Sequence, residues 1–185
     1  MRLFPLKLVL AGLLAAALSA AALGGEVKFQ LLDLTRYQTF VRNWDDQKQP
    51  ALYALIENKE QWDKVFHPAP VNSEKPVAPE PAVFFDHDLL VVARVQPAPA
   101  RLDTQTKSPV FKVQGVSVSD GGLVMKYQYA QPANPKPKAT YSIKTFLVVL
   151  VPKGKYASAA FIENGQSIGS LNLKAGQWCV PAPKD

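Results

Sequence analysis

The residues Gly165-Gln166-Ser167-Ile168-Gly169 spell G-x-S-x-G, the pattern in which a strained strand-to-helix turn lifts a nucleophilic serine out of a sheet. Their surroundings point elsewhere. Asn164-Gly165 is the pair that most readily supplies two positive φ angles to a hairpin turn, and no helix signal follows Gly169. In the serine hydrolases with this pattern the histidine follows the serine, whereas His67 and His87 both precede Ser167. Asp86-His87-Asp88 sets three potential metal ligands side by side. Strand periodicity would let only Asp86 and Asp88 converge, so the segment reads as a polar turn before Leu89. Asp45-Asp46 and Glu57 to Glu60 offer carboxylates suited to a solvated face or a helix cap. Gly121-Gly122 is followed by a strand, where a phosphate cradle needs a helix N-terminus. This inventory assigns no catalytic residue, no metal ligand and no cofactor.

Aromatic residues are a different resource. Tyr37, Phe40, Trp44, Tyr53 and Trp62 gather in one early stretch. Core packing accounts for most of them, but Tyr37, Phe40 and Trp44 show no core periodicity. Tyrosine and tryptophan are frequent interface anchors, so these three are the expected contact residues for a partner. Lysines and arginines are spread along the chain without stacking aromatics between them, which argues against nucleic acid.

The elements that position these residues are mainly strands. Val27 to Leu34 and Ala51 to Ile56 have strand composition, and Leu89 to Ala93 is apolar throughout, as for a strand buried on both faces. The strand character extends over Val83 to Val95. Val110 to Val118 alternates with a slip at Gly115, which predicts a bulge there. Ser119-Asp120-Gly121-Gly122 joins that run to Leu123 through Tyr129 as a hairpin, and Asn164-Gly165 joins Ala157 to Glu163 with Gln166 to Leu173 as another. Phe146 to Val151 is the most apolar run and is expected at the centre of a sheet. One helix is predicted, Lys59 to Phe66, capped by Asn58 with Gln61 at the capping-box spacing. Its Trp62, Val65 and Phe66 form one apolar side. Proline-rich loops are expected at about 67–82 and 131–139, the first too dense in proline for helix or paired strand. Together these give a mainly β fold: an antiparallel sandwich or rolled sheet with one short α-helix, in a single domain over 25–185.

Residues 1–24 read as a cleavable signal peptide. Arg2 and Lys7 precede an apolar run from Leu8 to Leu18, and Ala20 and Ala22 sit at A-x-A spacing. The run is short for a ~30 Å hydrocarbon core, so no transmembrane anchor is expected after cleavage. The product is expected to be secreted or periplasmic. Removing this segment lowers the formal charge of +6 by two. Cys179 is the chain's one cysteine, so no internal disulfide is possible, and its apolar neighbours Trp178 and Val180 favour burial.

A family likeness follows from several of these segments. Glu60-Gln61-Trp62-Asp63-Lys64-Val65-Phe66, Leu89 to Ala93, Gly122 to Tyr127, and Val148 to Val151 followed by Pro152-Lys153 come in the order of the bacterial envelope family of PrcB-like C-terminal domains. The chain resembles that family over about 56–161, with no counterpart of its G-G-Y motif between Pro97 and Pro109. The resemblance implies a non-enzymatic domain that binds another envelope or secreted protein and stabilises or inhibits a protease. Two other readings stand beside it: a hydrolase or metal-dependent enzyme using Ser167 or Asp86, His87 and Asp88, and a polysaccharide binder using the early aromatics.

Overall fold

A computed structural model describes residues 25–41, 44–68, 74–97, 110–131 and 142–182. The expected signal segment, the span 98–109 and most of the loop at 131–139 lie outside them. In chain order the strands are β1 (Gly25–Glu26), β2 (Gln30–Leu31), β3 (Thr39–Val41), β4 (Ala51–Ile56), β5 (Phe66–Pro68), β6 (His87–Pro97), β7 (Phe111–Ser119), β8 (Gly122–Tyr129), β9 (Ser142–Pro152), β10 (Ser158–Glu163), β11 (Gln166–Asn172) and β12 (Cys179–Val180). Two helices, α1 (Lys59–Val65) and α2 (Pro81–Asp86), complete the set with two short 3-10 turns. The fold is mainly β, as the sequence predicts.

Two five-stranded sheets carry it, one ordered β1-β7-β8-β10-β11 and the other β12-β4-β6-β9-β2, with a small β3-β5 ribbon. Strand alternation builds two cores from the second sheet. Tyr53, Leu55, Leu90, Val92, Val149 and Val151 face the first sheet and meet Leu123, Met125, Tyr127 and Phe161. Their neighbours Leu52, Ala54, Ile56, Leu89, Val91 and Val148 face the other way, against Trp62, Val65, Phe66 and Phe84 of the helical layer. Leu89 through Ala93 are wholly buried because both faces are covered. β6 is the central strand, and β9, expected there, lies beside it with only the two-residue β2 beyond.

Local chemistry explains the turns and caps. Asp120 and Gly121 have φ of 51° and 74°, and Asn164 and Gly165 have 52° and 83°, so both hairpins close with two left-handed residues. The Asn58 side chain accepts from Gln61 N at 2.9 Å, while Gln61 Oε1 accepts from Glu57 N at 2.6 Å, a reciprocal cap shifted one residue outward. The β7–β8 register slips between Val113 and Gly115, so the predicted bulge is present. Gly115 is not among the residues of positive φ, so this bulge does not use the left-handed conformation that glycine tolerates.

Two expectations need correction. Val83 to Asp86 are helical, part of α2, because Pro81 at the first helical turn has its φ preset and no N–H to lose, and Phe84 anchors the turn in the core. The first proline loop is not uniformly irregular: His67 and Pro68 pair with Phe40 and Thr39 in the β3–β5 ribbon, where a missing N–H is tolerated. The sheets are mostly antiparallel, as expected, and among the described strands β10 runs parallel to β8, Ala159 beside Leu123 through Glu163 beside Tyr127. The chain reaches β10 by way of β9 in the other sheet, so this pair crosses the sandwich. No helix of the described residues is long and apolar enough to span a membrane.

Candidate functional site

The helical layer packs Tyr37, Phe66 and Phe84 around Trp62. α1 presents Trp62 inward, where it is 1% exposed and stacks on Phe66 with ring centroids 4.2 Å apart. Phe84 and Tyr37 each meet it edge-on at 6.2 Å. The indole Nε1 donates to Val77 O at 3.3 Å, and Gln38 N donates to Pro76 O at 2.9 Å. These bonds tie the segment around Val77 to α1 and to the stretch that leads into β3. Two apolar side chains of these segments are exposed, Phe40 at 42% and Val77 at 41%, and Tyr37 is half-buried. The Phe40 ring lies 5.9 Å from that of His67 on the paired strand.

Trp44 does not share that surface. It is 5% exposed, its Nε1 donates to Gln49 O at 2.8 Å, and Lys144 Nζ sits 5.3 Å from the ring centroid while donating to Trp44 O. Trp44, one of the three expected contact residues, is therefore not an exposed anchor: it belongs to the outer core. Sequence could not reveal this, because its packing partners come from segments far along the chain. Val77 went unnoticed for a different reason, lying inside a proline-rich stretch without periodicity.

The candidate chemical groups are separated and mostly engaged. Ser167 is exposed on β11, paired with Ile162, directly after the Asn164-Gly165 hairpin turn. Asp86, His87 and Asp88 do not converge. Asp86 ends α2 in solvent, whereas Asp88 is wholly buried and accepts from Lys153 Nζ at 2.7 Å and Gly154 N at 3.0 Å. Lys153 Nζ also donates to Glu57 O at 2.6 Å, so this ion pair joins the ends of β4, β6 and β9. No group of three or more histidine, cysteine, aspartate or glutamate side chains among the described residues could hold a metal. His87 Nδ1 is buried without a hydrogen-bond partner, and the residue lines a cleft of about 690 Å³ with Leu150, Pro152 and the segment from Glu26 to Gln30.

One polar cluster had no sequence signal. Glu163, 6% exposed, accepts from Arg94 Nη2 at 2.9 Å and from the Tyr127 hydroxyl at 3.0 Å, joining the two sheets. Burial first, and then the nearby Glu163 carboxylate, raise the Tyr127 phenol above its ordinary range. Arg94 also lies over the Tyr129 ring, 5.0 Å from its centroid. Arg94 and Glu163 are 69 positions apart, and each looks in sequence like the polar end of a strand. Cys179 is buried as expected, its thiol pushed up to about 12 by desolvation. Set against known proteins, the chain matches no family model, no curated protein and no solved structure.

Proposed function

We propose that this chain is an exported, non-enzymatic domain that binds another envelope or secreted protein and stabilises or inhibits a protease there. The observation that carries the reading is the exposure of the apolar side chains of Phe40 and Val77, in segments tied by hydrogen bonds to one another and to the buried Trp62. Interfaces draw on such anchors because a side chain already fixed by its scaffold loses little freedom when a partner covers it. The likeness to PrcB-like C-terminal domains supports the protease as partner. The engagement of Asp88 and Glu163 in ion pairs, and the buried thiol of Cys179, support a structural use for the groups most suited to chemistry.

The contact surface proposed here keeps Tyr37 and Phe40 and adds Val77. Trp44, being buried, is not part of it. Immobilised mature protein should capture one protein in stoichiometric amount from the envelope fraction of its source cell, and Phe40→Ser should weaken that capture about tenfold. Equal capture by both forms would remove the surface from the account. Turnover of an ester or peptide substrate lost in Ser167→Ala would replace it with a hydrolase.

A further inference from the structure

β7 is a nine-residue strand that β1 covers over only part of its length. Gly25 lies beside Val118 and Glu26 beside Ser117, and Val27 N donates to Val116 O at 2.8 Å before the chain joins the other sheet at Gln30. The start of β7, Phe111 to Val113, has β8 on one side and, among the described residues, no strand on the other.

Bonds on both sides of β7 fix which way its main chain points. Ala130 N donates to Val110 O at 2.9 Å, and the pairs Phe111–Tyr129, Lys112–Gln128 and Val113–Tyr127 continue that register without a slip. Val110 and Lys112 therefore turn their main-chain groups toward β8, and Phe111 and Val113 turn theirs outward. Val116 O also points outward, to Val27, because the bulge leaves Gln114 as an extra residue between Val113 and Gly115. Side chains sort by the same alternation. Phe111 and Val113 are half-buried against the core between the sheets, whereas Lys112 is exposed on the outer face, with Lys126 of β8 exposed on that same face. Neither lysine has an acidic partner among the described residues.

An edge with free N–H and C=O groups is a template for another strand, and a lysine in its middle turns unsuitable strands away. In two-fold pairing of this edge with itself about Lys112, the two Lys112 side chains would stand directly opposite one another, which like charge disfavours. The same lysine attracts an acidic strand. We infer that Phe111 to Val113 takes an extended segment of another protein, antiparallel as β1 is, with the pattern apolar–acidic–apolar. Its two apolar residues pair through main-chain bonds with Phe111 and Val113 and cover their half-buried side chains. Its acidic residue stands opposite Lys112, in the field of Lys126. This contact lies on β7 and is separate from Phe40 and Val77.

Fluorescence anisotropy of a dye-labelled, end-capped peptide of alternating valine and glutamate, titrated with the mature protein, tests it. Saturable binding is expected, weakened about tenfold or more by Lys112→Glu, and that variant should instead bind the valine–lysine peptide. Methylating the valine nitrogens should abolish binding, whereas methylating the glutamate nitrogens, which face away from β7, should spare it. Amide exchange followed by NMR gives a signature confined to the site. Phe111 and Val113 should exchange fast in the free protein and slowly with the peptide, while Lys112, bonded to β8, stays slow in both. Phe40→Ser should change none of this, and circular dichroism would verify that Lys112→Glu keeps its fold. No binding of the valine–glutamate peptide would overturn the inference and leave Lys112 as the guard of a bare edge. Binding indifferent to Lys112→Glu or to valine methylation would overturn it too. So would slow exchange at Phe111 and Val113 in the free protein, which would mean that the edge is already covered.

Discussion

Removing the two halves of the Asp88–Lys153 pair should have unequal consequences. Asp88 is wholly buried, while the Lys153 side chain is 40% exposed and can turn to water when its partner is lost. In Lys153→Met the carboxylate stays buried with the Gly154 N–H as its remaining donor. An uncompensated buried charge costs about 3–5 kcal/mol, and the one surviving hydrogen bond argues for the lower end. Asp88→Asn keeps the shape and an acceptor oxygen while removing the charge, so its cost should be nearer about 1–2 kcal/mol. The double variant Asp88→Asn/Lys153→Met should be more stable than Lys153→Met alone, because no charge is left stranded. Urea unfolding followed by tryptophan fluorescence would give all three values. At about 2–4 °C per kcal/mol for a domain of this size, Lys153→Met should also lower Tm by roughly 10 °C. A loss smaller in Lys153→Met than in Asp88→Asn would refute the claim that buried charge governs this corner.

Further outcomes follow from burial. Trp44→Ala should cost about 3–5 kcal/mol in urea unfolding, since it empties a buried aromatic site; a loss below about 1 kcal/mol would mean the residue is a surface anchor after all. With its thiol pushed up to about 12, native Cys179 should resist iodoacetamide at pH 8 and react once unfolded in urea. Fast native alkylation would show that the site opens. Intact-mass measurement of the exported protein should place the mature N-terminus between Ala20 and Glu26, and a mass retaining Arg2 would contradict cleavage.

What sequence disclosed was the structure written into short stretches of chain. The Asn164-Gly165 and Asp120-Gly121 turns were legible because few residue pairs accept two positive φ angles, and α1 because its cap and its apolar side lie within the nine residues from Asn58 to Phe66. α2 was hidden by length: six residues with Val83, Phe84 and Phe85 show the composition of a strand and too few turns to show a period. The parallel β8–β10 pair had no signal at all, since it depends on a crossover through the opposite sheet. Of the candidate contact residues, Phe40 is exposed, whereas Trp44 is buried with Lys144, a hundred positions away, over its ring. Val77 and the Arg94–Glu163 pair belong to the same class, visible only once distant segments have met.

Photo-crosslinking from the proposed contact surface addresses the central claim most directly. With Phe40 replaced by p-benzoylphenylalanine in the exported protein, irradiation of intact cells should give one crosslinked partner. The same probe at the exposed Gln128 of β8, on the other sheet, should give little of that product. Equal yields from the two positions, or no crosslink from position 40, would contradict a protein-binding role for this surface.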